Sequence, residues 1–192
     1  MNPFRILTMP LGPLRRAWTG DYQQSGELSQ ADCVIGFSFG YRGKGKRIEP
    51  GLSNEDLAAV AARHYDHLPK ILQWEIADAY LKQVKKPTQP IIKITKHRRK
   101  GKYLDTQEVA MQAKEAMRQR GYKTAVLLAN AYHLPRVQAV CTQLGISWVT
   151  TDDLRGAVEF DLRSSQKWTR SRDAWRGYEP LAMMFYRMRG WL

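Results

Sequence analysis

The chain has 192 residues, of which 43% are hydrophobic, so it is long enough to bury one core of ordinary size. Its 31 Lys and Arg residues against 18 Asp and Glu give a net charge of +13, which attracts phosphate-rich partners, acidic substrates or anionic lipid. Two cysteines, Cys33 and Cys141, cannot make a disulfide framework and predict buried thiols in a reduced protein. The sequence contains no apolar run of membrane-spanning length and no continuous signal-peptide core, so we expect a cytoplasmic protein.

The sequence predicts a short irregular N-terminal segment followed by one domain. Residues 1–30 are rich in Pro, Gly and Gln and predict an irregular N-terminal segment, and residues 31–192 predict a single α/β domain. A buried strand is expected from Asp32 to Phe39, followed by a Gly-rich basic loop. Ser53 is predicted to be the N-cap of the next helix, with Asp56 as its capping-box partner.

The middle of the chain continues the alternation of strands and helices. Residues 70–74 predict a strand followed by a short helix, although residues 71–81 also fit one continuous helix. Residues 91–94 predict the next strand. Asp105 is predicted to cap a helix that ends at Arg120, because Gly121 is suited to the left-handed conformation that closes helices.

The last third predicts a further strand–helix–strand unit and a final helix. Residues 123–128 and 146–149 predict strands, and Pro135 favours a helix start between them. The alternation predicts a mostly parallel central sheet covered on both faces, which is a Rossmann-like three-layer sandwich. The final helix, residues 174–188, carries apolar side chains that we expect to pack against a sheet edge: Leu181, Met184, Phe185 and Met188.

Polar residues gather where the predicted strands end. In open parallel sheets, ligands bind at the carboxyl edge near the point where the strand order reverses. The turn from Asn130 to Arg136 should lie there, together with the loop after Phe39 and the helix start at Asp105. His133 titrates near neutrality and is the candidate catalytic acid or base, and Arg136 can hold an anion. Alternatively, His133 caps the helix and Arg136 is a solvated first-turn residue.

The complete predicted site contains one catalytic candidate, His133, and no metal ligand. Glu75 is included because it follows the second strand and can approach the same edge. Thr106 and the helix start beside it can add hydrogen bonds to an anion. The predicted ligand-binding residues are Asp105, Thr106, Glu108, Asn130, Tyr132, Arg136, Ser38, Gly40 and Glu75.

Two segments of the chain resemble a known family. The segments are YLDTQEVA at 103–110 and LLANAYHLPRVQAVCTQLGI at 127–146, and the tail GYEPLAMMFYRMRGWL is similar to the same family's C-terminal helix. They resemble the YdcF-like domain, a bacterial family of SanA, ElyC and YdcF type, over roughly residues 32–192. The resemblance implies a Rossmann-like fold, S-adenosylmethionine or a nucleotide-like molecule as ligand, and a divergent soluble member. Asp105 and Val109 stand where the family has Asn, and Asn130 stands where Ser is usual.

A basic run extends from Lys85 to Lys102 and contains eight Lys or Arg residues without a carboxylate. It fits a solvated loop, a surface that steers an acidic ligand, or a contact to nucleic acid backbone. Tyr103 is the single aromatic residue beside it, which argues against recognition of single-stranded RNA. The sequence therefore predicts a protein for a nucleotide-like or phosphorylated small molecule, with its reaction left open. The alternative is a non-enzymatic nucleic-acid-binding module that uses residues 85–102.

Overall fold

A computed structural model describes residues 11–45, 47–95 and 104–192. Its centre is a five-stranded, entirely parallel sheet with the strand order β3-β2-β1-β4-β5. The strands are β1 (Cys33–Gly36), β2 (Lys70–Gln73), β3 (Ile91–Ile94), β4 (Thr124–Leu128) and β5 (Ser147–Val149). The predicted Rossmann-like three-layer sandwich is confirmed.

Helices cover both faces of this sheet. The helices are α1 (Leu11–Thr19), α2 (Leu52–His64), α3 (Trp74–Gln83), α4 (Thr106–Arg120), α5 (Leu134–Gln143) and α6 (Arg172–Met188). Because α2 packs against α3, while α5 packs against both α4 and α1, the two groups form opposite outer layers. None of the helices in the described residues is long and apolar enough to cross a bilayer.

The strand order places a crevice between β1 and β4. The chain proceeds from β1 to β2 and β3 on one side, then returns to β4 on the other side. The loops that follow β1 and β4 therefore leave the carboxyl ends of these two strands in opposite directions, as loops do at the ligand site of open α/β sheets. Strands β1 and β2 are buried along their whole length, and the thiols of Cys33 and Cys141 are buried and unbonded in the core.

Two sequence predictions near the N-terminus are wrong. The segment predicted to be irregular contains α1, which tolerates Pro13 in its first turn and is held by contacts with α5 and α6.

Helix α2 has no side-chain cap, because the predicted capping residues bind a distant loop instead. The Ser53 hydroxyl donates to the Glu159 carbonyl at 2.6 Å, and the Asp56 carboxylate accepts from the Glu159 N–H at 3.0 Å.

The final helix buries a different face from the predicted one. The four apolar residues expected against the sheet are exposed, with Leu181 at 63% and Met188 at 55% of full accessibility. The buried side chains of α6 are Trp175, Glu179, Ala182, Met183 and Tyr186. A search for apolar residues does not identify this face, because the face includes the charged residue Glu179.

Candidate ligand-binding site

A pocket opens at the carboxyl edge of the sheet, where the chain leaves β1 and β2 and enters α4 and α5. It contains about 470 Å³ of atom-free space, open mouth included. Residues 37–40 and Gln73 form the sheet side, and residues 104–106 and the start of α5 form a second side. The C-terminal part of the chain closes the third side with Gln166, Trp168, Thr169, Trp175, Tyr178 and Tyr186.

His133 and Thr106 meet inside this pocket. The Nε2 atom of His133 lies 3.0 Å from the Thr106 hydroxyl, although the two residues begin different helices. The predicted proximity of the Asn130–Arg136 turn to the start of α4 is thus confirmed. The His133 side chain makes no capping hydrogen bond to α5, which removes the alternative of a simple cap. Its Nδ1 atom is buried and has no hydrogen-bond partner among the described residues.

The surroundings of His133 keep its imidazole neutral. Burial lowers the pKa of His133 well below 6.5, and the nearby Arg136 guanidinium lowers it further. The ring packs against Phe39 and Trp175, with ring centroids 6.1 and 5.6 Å apart. The free nitrogen of such a neutral imidazole can donate a hydrogen bond to a ligand, accept one from it, or take a proton from it, according to the tautomer.

The guanidinium group of Arg136 is not free to bind an anion. Its Nε atom lies 3.2 Å from a carboxylate oxygen of Glu179, and both side chains are almost completely buried. Its guanidinium also lies 5.5 Å from the Trp175 ring and 5.2 Å from the Tyr186 ring. Burial raises the pKa of Glu179 to about 8, and the positive charge of Arg136 opposes that rise. Because Glu179 lies on α6, far along the chain, no local pattern around Arg136 indicates the pair.

The start of α4 is largely occupied by protein groups. The Asp105 carboxylate accepts from the Glu108 N–H at 2.8 Å, which confirms the predicted cap. The Thr106 N–H donates to the Tyr186 hydroxyl at 3.0 Å. Asp105 and Thr106 line the pocket, whereas Glu108 contributes its N–H to the cap and lies outside the lining. These bonds leave the helix start poorly suited to a bare anion.

The sheet side of the pocket is fixed by polar contacts behind it. The Ser38 N–H donates to Gln73 Oε1 at 3.1 Å, and Ser38, Gly40 and Gln73 all line the pocket. Gly40 has φ of 78°, and a β-carbon there would lie 2.6 Å from the Ser164 hydroxyl. The loop after β1 can therefore approach residues 164–169 closely only because this position is Gly.

Glu75 lies behind this wall rather than in the pocket. Its carboxyl group is completely buried, and burial raises its pKa to about 8. Its own backbone N–H, the Ser38 hydroxyl and Gln73 partly oppose that rise. Glu75 is therefore mostly protonated at neutral pH, and it lies beside Ser38 and Gln73, which line the pocket.

Asn130 and Tyr132 build the turn rather than line the pocket. The Asn130 side chain accepts from the Tyr132 N–H at 3.0 Å and donates to the Val158 carbonyl at 3.2 Å. The Tyr132 carbonyl accepts from the Trp175 indole N–H at 3.2 Å, and its ring packs against Phe160. Both residues position His133 and the C-terminal segment.

The sequence analysis did not predict the aromatic wall of the pocket, which consists of Trp168, Trp175, Tyr178 and Tyr186. Trp168 and Tyr178 stack with centroids 4.7 Å apart and an angle of 13° between their planes. Trp175 lies 4.7 Å from Phe39, centroid to centroid. The density of aromatic residues between 168 and 186 is the one signal that could have indicated this wall.

The basic run is only partly within the described residues. Lys85 and Lys86 are exposed, and Lys93 forms an ion pair with Asp78. Residues 96–103, which include KHRRKGK, lie outside the described part, so the predicted role of the run is not tested.

Within residues 11–45, 47–95 and 104–192, no group of three or more His, Cys, Asp or Glu side chains could hold a metal ion. No protein-family model matches the chain, and no curated protein or solved structure is significantly similar to it.

Proposed function

We propose that the pocket binds a nucleotide-like small molecule, with a planar ring held against the aromatic wall. The observation that carries this proposal is the buried Nδ1 atom of His133, which has no hydrogen-bond partner in the described part of the chain and belongs to an aromatic-walled pocket at the reversal of strand order. Stacking on the partly exposed Trp168 or Tyr178 favours a flat ring, and the buried nitrogen favours a ring with a polar edge.

The charge distribution argues that any phosphate lies at the mouth of the pocket. The Arg136 guanidinium is buried against Glu179 and three aromatic rings, so this cation of the pocket lining is not available to a phosphate. Lys167 is exposed and stands between Gln166 and Trp168, which both line the pocket. Arg170 follows Thr169 and is also exposed. A ligand of this kind would place its ring inside and its anionic part against these cations.

S-adenosylmethionine, the ligand implied by the YdcF-like resemblance, also suits an aromatic wall. Its adenine ring can stack, and its sulfonium cation is attracted to aromatic faces. We assign any proton transfer in this pocket to His133, with the Thr106 hydroxyl holding its Nε2 atom. In the resting protein the neutral His133 would act first as a base. We place the activity in the cytoplasm, where both thiols remain reduced.

The test is calorimetric titration of the purified protein with adenosine monophosphate, S-adenosylmethionine and a sugar phosphate. We expect one adenine compound to bind and Tyr178→Ala to weaken it by about 1–3 kcal/mol, the usual contribution of one stacked base. The matched control is Tyr122→Ala, because Tyr122 is also partly buried but lies outside the pocket lining. Absence of binding by all three compounds, or equal weakening by both variants, contradicts the proposal.

The second candidate is a nucleic-acid-binding module, favoured by the net charge of +13 and by the exposed Lys85 and Lys86. Duplex binding would weaken with salt by roughly 0.9 log units per neutralised phosphate for each log unit of salt. Fluorescence anisotropy with duplex and single-stranded oligonucleotides across a salt series distinguishes the two functions. Tight binding at physiological salt that is lost when Arg98, Arg99 and Lys100 become Ala would favour this candidate.

A further inference from the structure

Helix α6 exposes a continuous apolar surface. Leu181, Met184, Phe185 and Met188 recur at helical spacing on the side opposite its buried side chains, and their exposed fractions are 63%, 42%, 46% and 55%. We call these four residues the outer face of α6. Single exposed apolar residues are common, but a run along two turns of one helix indicates a contact surface.

The charges beside the outer face are positive. Between residues 178 and 192 the only carboxylate side chain is that of Glu179, which is buried. The Arg189 guanidinium lies 4.3 Å from the Phe185 ring and 5.1 Å from the Trp191 ring. A cation is thus held at the edge of the apolar surface, beside an indole. This combination suits the boundary between acyl chains and anionic headgroups.

A second copy of the chain fits this surface poorly. Each copy carries a net charge of +13, so two copies repel each other. The outer face is one helix wide, whereas stable protein interfaces usually bury about 1,000 Å² or more. An exposed apolar face with an exposed Arg189 at its end, and with no exposed carboxylate side chain between residues 178 and 192, is complementary to a flat, negatively charged surface.

We propose that the outer face of α6 docks the protein reversibly onto an anionic lipid surface. The four apolar side chains would enter the headgroup region, and Arg189 would remain at the level of the lipid phosphates. The same helix supplies Trp175, Tyr178 and Tyr186 to the pocket, so docking would hold the pocket beside the lipid. The proposal does not depend on which molecule the pocket binds.

The experiment is co-sedimentation of the full chain with vesicles of phosphatidylcholine alone or of an equimolar mixture with phosphatidylglycerol. We expect binding to the mixed vesicles, weaker binding at high salt, and little binding to phosphatidylcholine alone. Met184→Glu should weaken binding to the mixed vesicles by roughly tenfold or more, because it places a carboxylate within the apolar surface.

The matched control is Met111→Glu. Met111 is an exposed methionine on α4, at 49% exposure, so this variant makes the same change of charge on a different helix. It should alter vesicle binding far less than Met184→Glu does. Circular dichroism verifies that both variants remain folded, as expected for exposed positions.

Four results would overturn the proposal. The first is failure of the full chain to bind the mixed vesicles, and the second is an equal loss in both variants, which would show an effect of net charge alone. The third is a wild-type dimer that Met184→Glu dissociates, which would assign the outer face to a second copy. The fourth is vesicle binding only after removal of residues 1–10, which would assign the face to the chain's own N-terminal segment.

Discussion

Replacement of Glu75 by Gln tests the buried carboxyl group behind the pocket. Gln has nearly the same shape as a protonated Glu and keeps hydrogen-bonding groups, but it cannot ionise. The folded protein raises the pKa of Glu75 from 4.5 to about 8, mainly through burial. The variant therefore removes one titration and leaves the packing of α3 largely unchanged.

The direction of the effect follows from proton linkage. Between about pH 4.5 and 8 the folded chain keeps a proton on Glu75 that the unfolded chain releases. The contribution of Glu75 is therefore complete below the unfolded pKa and is lost as the pH rises to the folded pKa. Each pH unit costs roughly 1 kcal/mol of unfolding free energy, so the whole window amounts to on the order of 3–5 kcal/mol.

The assay is urea unfolding of wild type and Glu75→Gln at about pH 5, 7 and 9. The unfolding free energy of the variant, minus that of wild type, should increase from pH 5 to 9. Glu55→Gln is the control, because Glu55 lies in the first turn of α2 with its side chain in water. A difference for Glu75→Gln that stays constant with pH would refute the assignment of a buried, protonated carboxyl group.

Three further predictions concern the pocket walls. Gly40→Ala should lower the unfolding free energy by about 2 kcal/mol more than Gly45→Ala, because both have positive φ but only Gly40 is crowded; equal losses in urea unfolding would contradict this. Above about pH 8, where Glu179 is ionised, Arg136→Met should lower the unfolding free energy by about 3–5 kcal/mol because it leaves the carboxylate buried and unpaired, and adding Glu179→Met should recover most of that loss in the same assay. Because the folded pKa of His133 is lowered, wild type should lose stability relative to His133→Asn as the pH falls below 6.5, and a constant difference in unfolding free energy would contradict this.

Local patterns predicted the sheet and α4 correctly because their causes are local. Asp105 caps α4, and Gly121 closes it with φ of 72°, and both positions can be recognised within a few residues. Ser53 and Asp56 have the same local pattern, but both bind Glu159 instead. The partner that overrides the capping box lies more than 100 residues away, where no local rule can find it.

The candidate site was predicted in part for the same reason. The meeting of His133 with Thr106 follows from the predicted parallel direction of the strands, because the carboxyl ends of parallel strands share one edge. The pairing of Arg136 with Glu179 depends on how α6 packs, and the sequence does not specify that packing locally. The error over the outer face of α6 and the missed aromatic wall have this same cause, since both depend on the orientation of one helix.

The residues of the aromatic wall all come from the last part of the chain, and this affects how the protein folds during synthesis. All five strands have been made once Val149 is added, but Trp168, Trp175, Tyr178 and Tyr186 are still missing. Chains fold progressively as they leave the ribosome, so the sheet can form before the pocket exists. On that route a ligand does not guide the folding of the sheet, and it stabilises only a chain whose C-terminal helix has already docked.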